Sequence, residues 1–269
     1  MKNLIIRTAS GALFLAIMIG SILWSVHSFW ILSCIIVIFG MIEFFNMTIP
    51  KGHELQKIIS IFIGLGCVLY SFSEMTSSMI VVIGLFSALI PIIELYKGSE
   101  KPFENIALLF FPVIYIAIPF TLMNLYNLYH GSNYILAFFI FIWANDVGAY
   151  CFGMLFGQNG KHKLFPRISP KKSWEGFIGG IITTIIASVL ISKLMFDGKN
   201  MPHWIVIAII TSVVGTFGDL IESMLKRSAG VKDSGKIMPG HGGILDRFDA
   251  VLLSFPIVFI YFWLLIFNV

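Results

Sequence analysis

Residues 133–156 read NYILAFFIFIWANDVGAYCFGMLF, an apolar run interrupted by one formal charge, Asp146. As a helix rising 1.5 Å per residue it would extend about 36 Å, enough to cross the roughly 30 Å hydrocarbon core of a bilayer. Further runs of this kind lie near residues 8–25, 29–47, 58–73, 78–96, 105–126, 174–194, 203–224 and 249–267, the third of them short. The sequence therefore predicts an all-α integral membrane protein, polytopic, with about nine transmembrane helices.

Composition agrees. Of the 269 residues, 58% are apolar and 12% charged, and mean hydropathy is +0.92. A soluble domain carries about twice that charged fraction. A soluble globular enzyme, a disordered chain and a secreted disulfide scaffold are thereby excluded. The three cysteines, Cys34, Cys67 and Cys151, each sit in an apolar run and are expected as unbridged thiols. The first run lacks a small-residue cleavage site, so no cleaved signal peptide is expected. Only 157–173 and 225–248 remain as longer loops. Residues 1–126 and 127–269 read as two halves of one continuous membrane unit, the second carrying the site.

Orientation follows from Lys and Arg. The side holding the N-terminus and the loops after spans two, four, six and eight carries 16 of the 18; the other side has only Lys193 and Lys199. That asymmetry places the N-terminus and a polar cavity on the cytoplasmic side of a cell membrane. Lys51, Lys57, Lys97 and Lys101 read as topology signals. The remaining basic residues suit a polyanionic substrate or anionic headgroups; no nucleic acid is expected.

Chemistry concentrates in the C-terminal half. An uncompensated carboxylate such as Asp146 costs about 2.5–3.5 kcal/mol within a span, so a cation, a partner or a wet cavity must offset it. The stretch Ser169-Pro-Lys171-Lys172-Ser173 reads as a rigid turn feeding a helix that starts at Trp174, where backbone N–H groups and two lysines suit a phosphate. Asp219, Glu222, Ser223, Lys226 and Arg227 form one polar stripe on span eight. Lys226 suffices to explain Glu222, whereas Asp219 has no basic residue one turn before it. The next loop carries Lys232, Asp233, Lys236, Pro239, His241 and the glycines 240, 242 and 243, which let backbone approach a ligand closely. Asp246 and Asp249 open span nine on one face, more than a helix cap requires. Paired carboxylates beside many Lys and Arg are what Mg²⁺-assisted phosphoryl or nucleotidyl transfer needs: carboxylates for the hard cation, basic groups for phosphates. His241 has no second His at ligand spacing, which argues against zinc. The sequence has no P-loop.

The stretch Ser223-x2-Lys226-Arg227-x4-Lys232-Asp233-x-Gly235-x3-Pro239-x-His241-Gly242-Gly243-x2-Asp246-Arg247-x-Asp249 resembles the signature of the phosphatidate cytidylyltransferase (CDP-diacylglycerol synthase) family. Met238 stands where Leu, Ile or Phe is usual. Upstream, Asp146-x3-Tyr150 and Ser169-Pro-Lys-Lys-Ser-Trp-Glu-Gly176 resemble further family segments, with Ser173 in place of the common Thr. The detailed match covers 143–250; the N-terminal third matches in hydropathy only. The resemblance implies that CTP and phosphatidate give CDP-diacylglycerol and pyrophosphate with Mg²⁺, in a homodimeric enzyme. Asp219 and Asp246 are then expected to hold Mg²⁺, with Asp249 at or beside the metal and Asp146 lining the same cavity. Lys226, Arg227, Lys232 and Arg247 would supply charge, and Ser223 would touch metal or phosphate. Gly242 and Gly243 would offer N–H groups, beside His241. Lys171, Lys172 and Ser173 would hold either the triphosphate or the lipid headgroup; the sequence leaves both open. The rivals are a CTP-dependent polyprenol kinase and a polytopic transporter, the latter expected to carry matching broken helices in its two halves.

Overall fold

The structure is a computed structural model and describes residues 2–71, 76–157, 162–240 and 242–266. Helices dominate. Among the described residues, eight segments are long and apolar enough to cross a membrane: Arg7–Trp24, Val26–Thr48, Ser78–Lys97, Pro102–His130, Ser132–Phe156, Trp174–Met195, Met201–Ser228 and Leu245–Leu264. The short third run forms α3 (Glu54–Tyr70), 17 residues or about 25 Å long. The chain is thus an all-α, multi-pass membrane protein. Its cysteines are free thiols.

The helices gather into two compact units. The first comprises Met1–His130 with Ala229–Arg247. It contains α1 (Lys2–Trp24), α2 (Val26–Thr48), α3, α4 (Thr76–Lys97), α5 (Pro102–Pro112) and α6 (Ile118–His130). A capping box between Ser25 and Ser28 separates α1 from α2. Pro102 opens α5 at a position where its missing N–H costs nothing. Pro112 then forces a local change of winding, and Val113–Ala117 form a π-helical turn joining α5 to α6 in one continuous span. The core is aromatic and aliphatic, with Phe29, Phe44, Phe45, Phe120 and Leu109 fully buried. One polar knot ties α3, α4 and α5. Gln56 and Asn105 each donate to the buried Glu94 carboxylate at 2.7 Å.

The second unit comprises Gly131–Ser228 with Phe248–Val269. It holds α7 (Ser132–Phe156), α8 (Trp174–Met195), α9 (Met201–Ser228) and most of α10 (Leu245–Ile266). Between α7 and α8, the expected turn is a small antiparallel hairpin, β1 (Lys163–Phe165) with β2 (Ser169–Ser173). The glycine pairs at 153/157 and 176/180 have a packing role. The Cα of Gly176 lies 3.7 Å from where a Cβ on Gly153 would stand, so α7 and α8 meet backbone to backbone. Gly218 does the same for α9. A Cβ there would collide with the Asp249 carbonyl oxygen of α10. An aromatic cluster of Tyr134, Phe196, Trp204 and Phe262 closes the far end of this unit.

Candidate active site

The second unit carries an acidic neighbourhood. Asp219 sits on α9, half-buried, and its Oδ1 accepts a hydrogen bond from Ser223 Oγ one turn later at 3.2 Å. Its Oδ2 receives the Lys172 ammonium at 2.6 Å. The missing basic partner of Asp219 is therefore supplied by a strand 47 positions earlier in the chain, out of reach of any local spacing rule. Alternation along β2 separates the two lysines that the sequence left equivalent. Lys172 reaches Asp219, and Lys171 is exposed. Glu222 is fully buried and pairs with Lys226 at 3.3 Å, as the i, i+4 spacing predicts. Asp249, one turn into α10, lies within the electrostatic reach of Asp219, Glu222 and Asp146, and its Oδ1 accepts from the Ala250 N–H at 2.7 Å. Asp146 itself is exposed on α7. Its neighbour Asn145 is the buried residue and takes the Ser212 hydroxyl as a hydrogen-bond donor. Ser173 caps α8, accepting from the Gly176 N–H at 3.2 Å. Arg227 is exposed.

The donor set suits Mg²⁺. Carboxylate oxygens are hard ligands, and Asp219 already carries a cation in the form of the Lys172 ammonium. Among the described residues, no three His, Cys, Asp or Glu side chains form a ready-made cage.

The first unit carries the glycine-rich loop, organised by a residue that the span map passes over. Glu43 of α2 is 4% exposed. Its Oε1 accepts from the Ile244 N–H at 3.0 Å, and its Oε2 from the Leu245 N–H and Ser234 Oγ, both at 3.0 Å. Asp246 completes the network. Its Oδ2 accepts from the Ser234 N–H at 2.9 Å, Ser234 Oγ at 3.0 Å and the Gly243 N–H at 2.8 Å. One serine hydroxyl thus bridges two carboxylates. A Cβ on Gly235 would strike Glu43, and one on Gly243 would strike Ser234 and Glu43. Gly242, at φ +90°, would place a Cβ 2.6 Å from Asp246 Oδ2. Two of the signature glycines therefore make room for Glu43 and one for Asp246. The Gly243 N–H, expected to meet a phosphate, is given to Asp246. Lys232 and Arg247 line a cavity in this unit. His241 lies outside the described residues. The signal for Glu43 was in the sequence: it is the one carboxylate within a 23-residue apolar span, and such residues are functional by default.

Carboxylates compensated by lysine and a cationic glycine loop, set in a multi-pass helical membrane protein, define a machine for phosphate esters at a bilayer. The comparison with known proteins makes the class specific. Residues 5–265 match the model of the cytidylyltransferase family, and the chain belongs to that family. It is 36% identical over 261 residues to a phosphatidate cytidylyltransferase of Staphylococcus saprophyticus, covering 94% of this chain and 96% of that protein. The enzymes of the same name from Staphylococcus haemolyticus and Staphylococcus aureus match to the same extent.

Proposed function

We infer that the protein is a membrane nucleotidyltransferase of phospholipid synthesis, converting CTP and phosphatidate to CDP-diacylglycerol and pyrophosphate. The observation that carries this is the likeness to phosphatidate cytidylyltransferases along 94% of the chain. The Lys172–Asp219 pair supports it, because it sets a cation of the Ser169–Gly176 segment against a carboxylate four positions before the signature that opens at Ser223.

Nucleotidyl transfer here joins a phosphatidate oxygen to the α-phosphorus of CTP and breaks the bond to pyrophosphate. A phosphomonoester has its second pKa near about 6, so the lipid is mostly dianionic at neutral pH and needs no strong general base. The obstacle is the mutual repulsion of two polyanions. Lys172, Lys226, Arg227, Lys232 and Arg247 lower it by presenting fixed positive charge. Asp219, Asp246 and Asp249 are the carboxylates that would hold Mg²⁺, with Asp146 in the acidic neighbourhood of Asp249. Bound there, the ion would supply charge neutralisation on the phosphates and leaving group. Asp246 orders the loop that bears Lys232 and Arg247 through its three hydrogen bonds. Lys171 and the N-terminus of α8, capped by Ser173, supply a further anion-facing surface. The 16-to-2 division of Lys and Arg supports a cytoplasmic N-terminus and active site in the cell membrane. A homodimer is the assembly that the family resemblance implies.

The test uses the solubilised full chain with CTP, phosphatidate and Mg²⁺. Lipid-linked cytidine and pyrophosphate should appear in equal amounts, vanish on chelation, and fall about a hundredfold or more in Asp219→Asn. Release of CDP with a phosphorylated lipid would instead identify a kinase.

A further inference from the structure

The first unit contains a cavity of about 660 Å³ between the start of α1 and the glycine loop. Four cations line it, Arg7, Lys232, Lys236 and Arg247, against a single carboxylate, Asp233. Among the described residues, Arg7, Lys232 and Lys236 form no ion pair. The cavity is shaped by specific contacts. Ser10 Oγ donates to the Pro239 carbonyl at 3.0 Å, docking the loop onto α1. The Met238 N–H donates to the Gly242 carbonyl at 3.0 Å and closes the turn. Gly240, at φ +76°, would bring a Cβ within 2.6 Å of Arg7 Cγ, so the absent side chain lets the arginine stem lie along the loop. Arg7 belongs to no signature motif, and nothing in the hydropathy of the N-terminal third sets it apart from a topology signal.

The like charges of Arg7, Lys232 and Lys236 are stable together only where solvent or an anion screens them. A guanidinium fork among lysines is the arrangement that recognises phosphate. The cavity is large enough for a phosphate-bearing headgroup. Two sources offer that chemistry, the CTP triphosphate and the lipid phosphomonoester, and the position of Arg7 favours the second. It is the first residue of the apolar window Arg7–Trp24, and Leu13, Leu15 and Ile17 beyond it are exposed. It therefore stands where α1 leaves the hydrocarbon, at the depth of lipid phosphates, as basic residues at span ends do. Ile237, on the loop itself, is also exposed. We propose, on the basis of the phosphatidate cytidylyltransferase reading, that this cavity seats the phosphate head of phosphatidate and that Arg7 binds it directly, with Lys236 as a second ligand.

The experiment compares wild type with Arg7→Gln, Arg7→Lys and Lys236→Gln in mixed micelles. The surface fraction of phosphatidate is varied at saturating CTP, then CTP at saturating phosphatidate. Loss of one charge-assisted hydrogen bond should raise the KM for phosphatidate about tenfold in Arg7→Gln, with the KM for CTP unchanged. Arg7→Lys should fall between the two. Lys236 is exposed, so Lys236→Gln should show the same selectivity without loss of folded protein. A rise in the KM for CTP alone overturns the lipid assignment in favour of the triphosphate. Unchanged constants for both substrates overturn the site altogether while leaving the enzyme reading intact. A wild type that forms no CDP-diacylglycerol would refute that reading itself.

Discussion

Glu43→Gln removes the charge at the heart of the glycine loop while keeping the size of the side chain. The wild-type carboxylate satisfies three donors: the Ile244 and Leu245 N–H groups and Ser234 Oγ. An amide has only one oxygen. In either orientation its NH₂ group faces a backbone N–H, so one buried donor loses its acceptor. That costs about 1–3 kcal/mol, and the lost negative charge at the start of α10 adds about 0.3–1 kcal/mol. The cost falls on the loop, because all three donors belong to residues 234–245. The sum, about 1.3–4 kcal/mol, should quicken hydrogen exchange measured on peptides covering 231–247 roughly 10- to 900-fold if the loop opens as a unit. Peptides from α8, in the other unit, serve as the internal reference. CDP-diacylglycerol synthesis should fall in parallel, since Asp246 shares Ser234 with Glu43. Unchanged exchange across 231–247 in Glu43→Gln would refute the claim that this carboxylate organises the loop.

Two glycine substitutions should have opposite signs. Gly218→Ala drives a methyl into the Asp249 carbonyl and should destabilise by about 1–3 kcal/mol, read as a lower Tm in detergent. Gly84→Ala meets nothing within 4 Å on α4 and should raise the Tm slightly, because alanine favours the helix by about 1 kcal/mol. Ser173→Ala removes the cap of α8 and should cost about 1 kcal/mol, whereas Ser173→Thr should retain it.

The sequence made the membrane class legible because a span needs only composition and length, both of which survive without tertiary information. It also made Glu222–Lys226 legible, since helical spacing is a local signal. Ser169–Ser173 was read as a turn rather than as one strand of a hairpin, because it is short and lysine-rich and strand pairing is a contact between segments. Asp219 seemed unpaired for the same reason: its lysine lies 47 residues upstream. Glu43 was absent from the expected site residues. Its partners lie about 200 positions away, and no periodicity announces a contact of that range. Asp146 was expected to need an offset within its span, and the helix leaves it exposed while turning Asn145 inward.

The two best-defined carboxylates, Glu43 and Asp219, are compensated in opposite ways, and the difference separates scaffold from chemistry. Glu43 is 4% exposed and is met by backbone N–H groups and a hydroxyl, donors that cannot leave without unfolding the loop. Such a carboxylate is fixed in place and unavailable to a ligand. Asp219 is met by a lysine ammonium, and the two side chains are 37% and 25% exposed. Pairs with that much solvent contact stabilise by no more than about 1 kcal/mol, so the ammonium exchanges readily for another cation. An apolar helix that carries a carboxylate must offset its charge at all times, and a reactive site must be able to give that offset up. Lysine on a short strand meets both demands at Asp219. Backbone donors meet only the first at Glu43. Mutations at the two positions should therefore differ in kind, Glu43 lowering turnover only as far as the loop opens and Asp219 lowering it in a loop that stays closed.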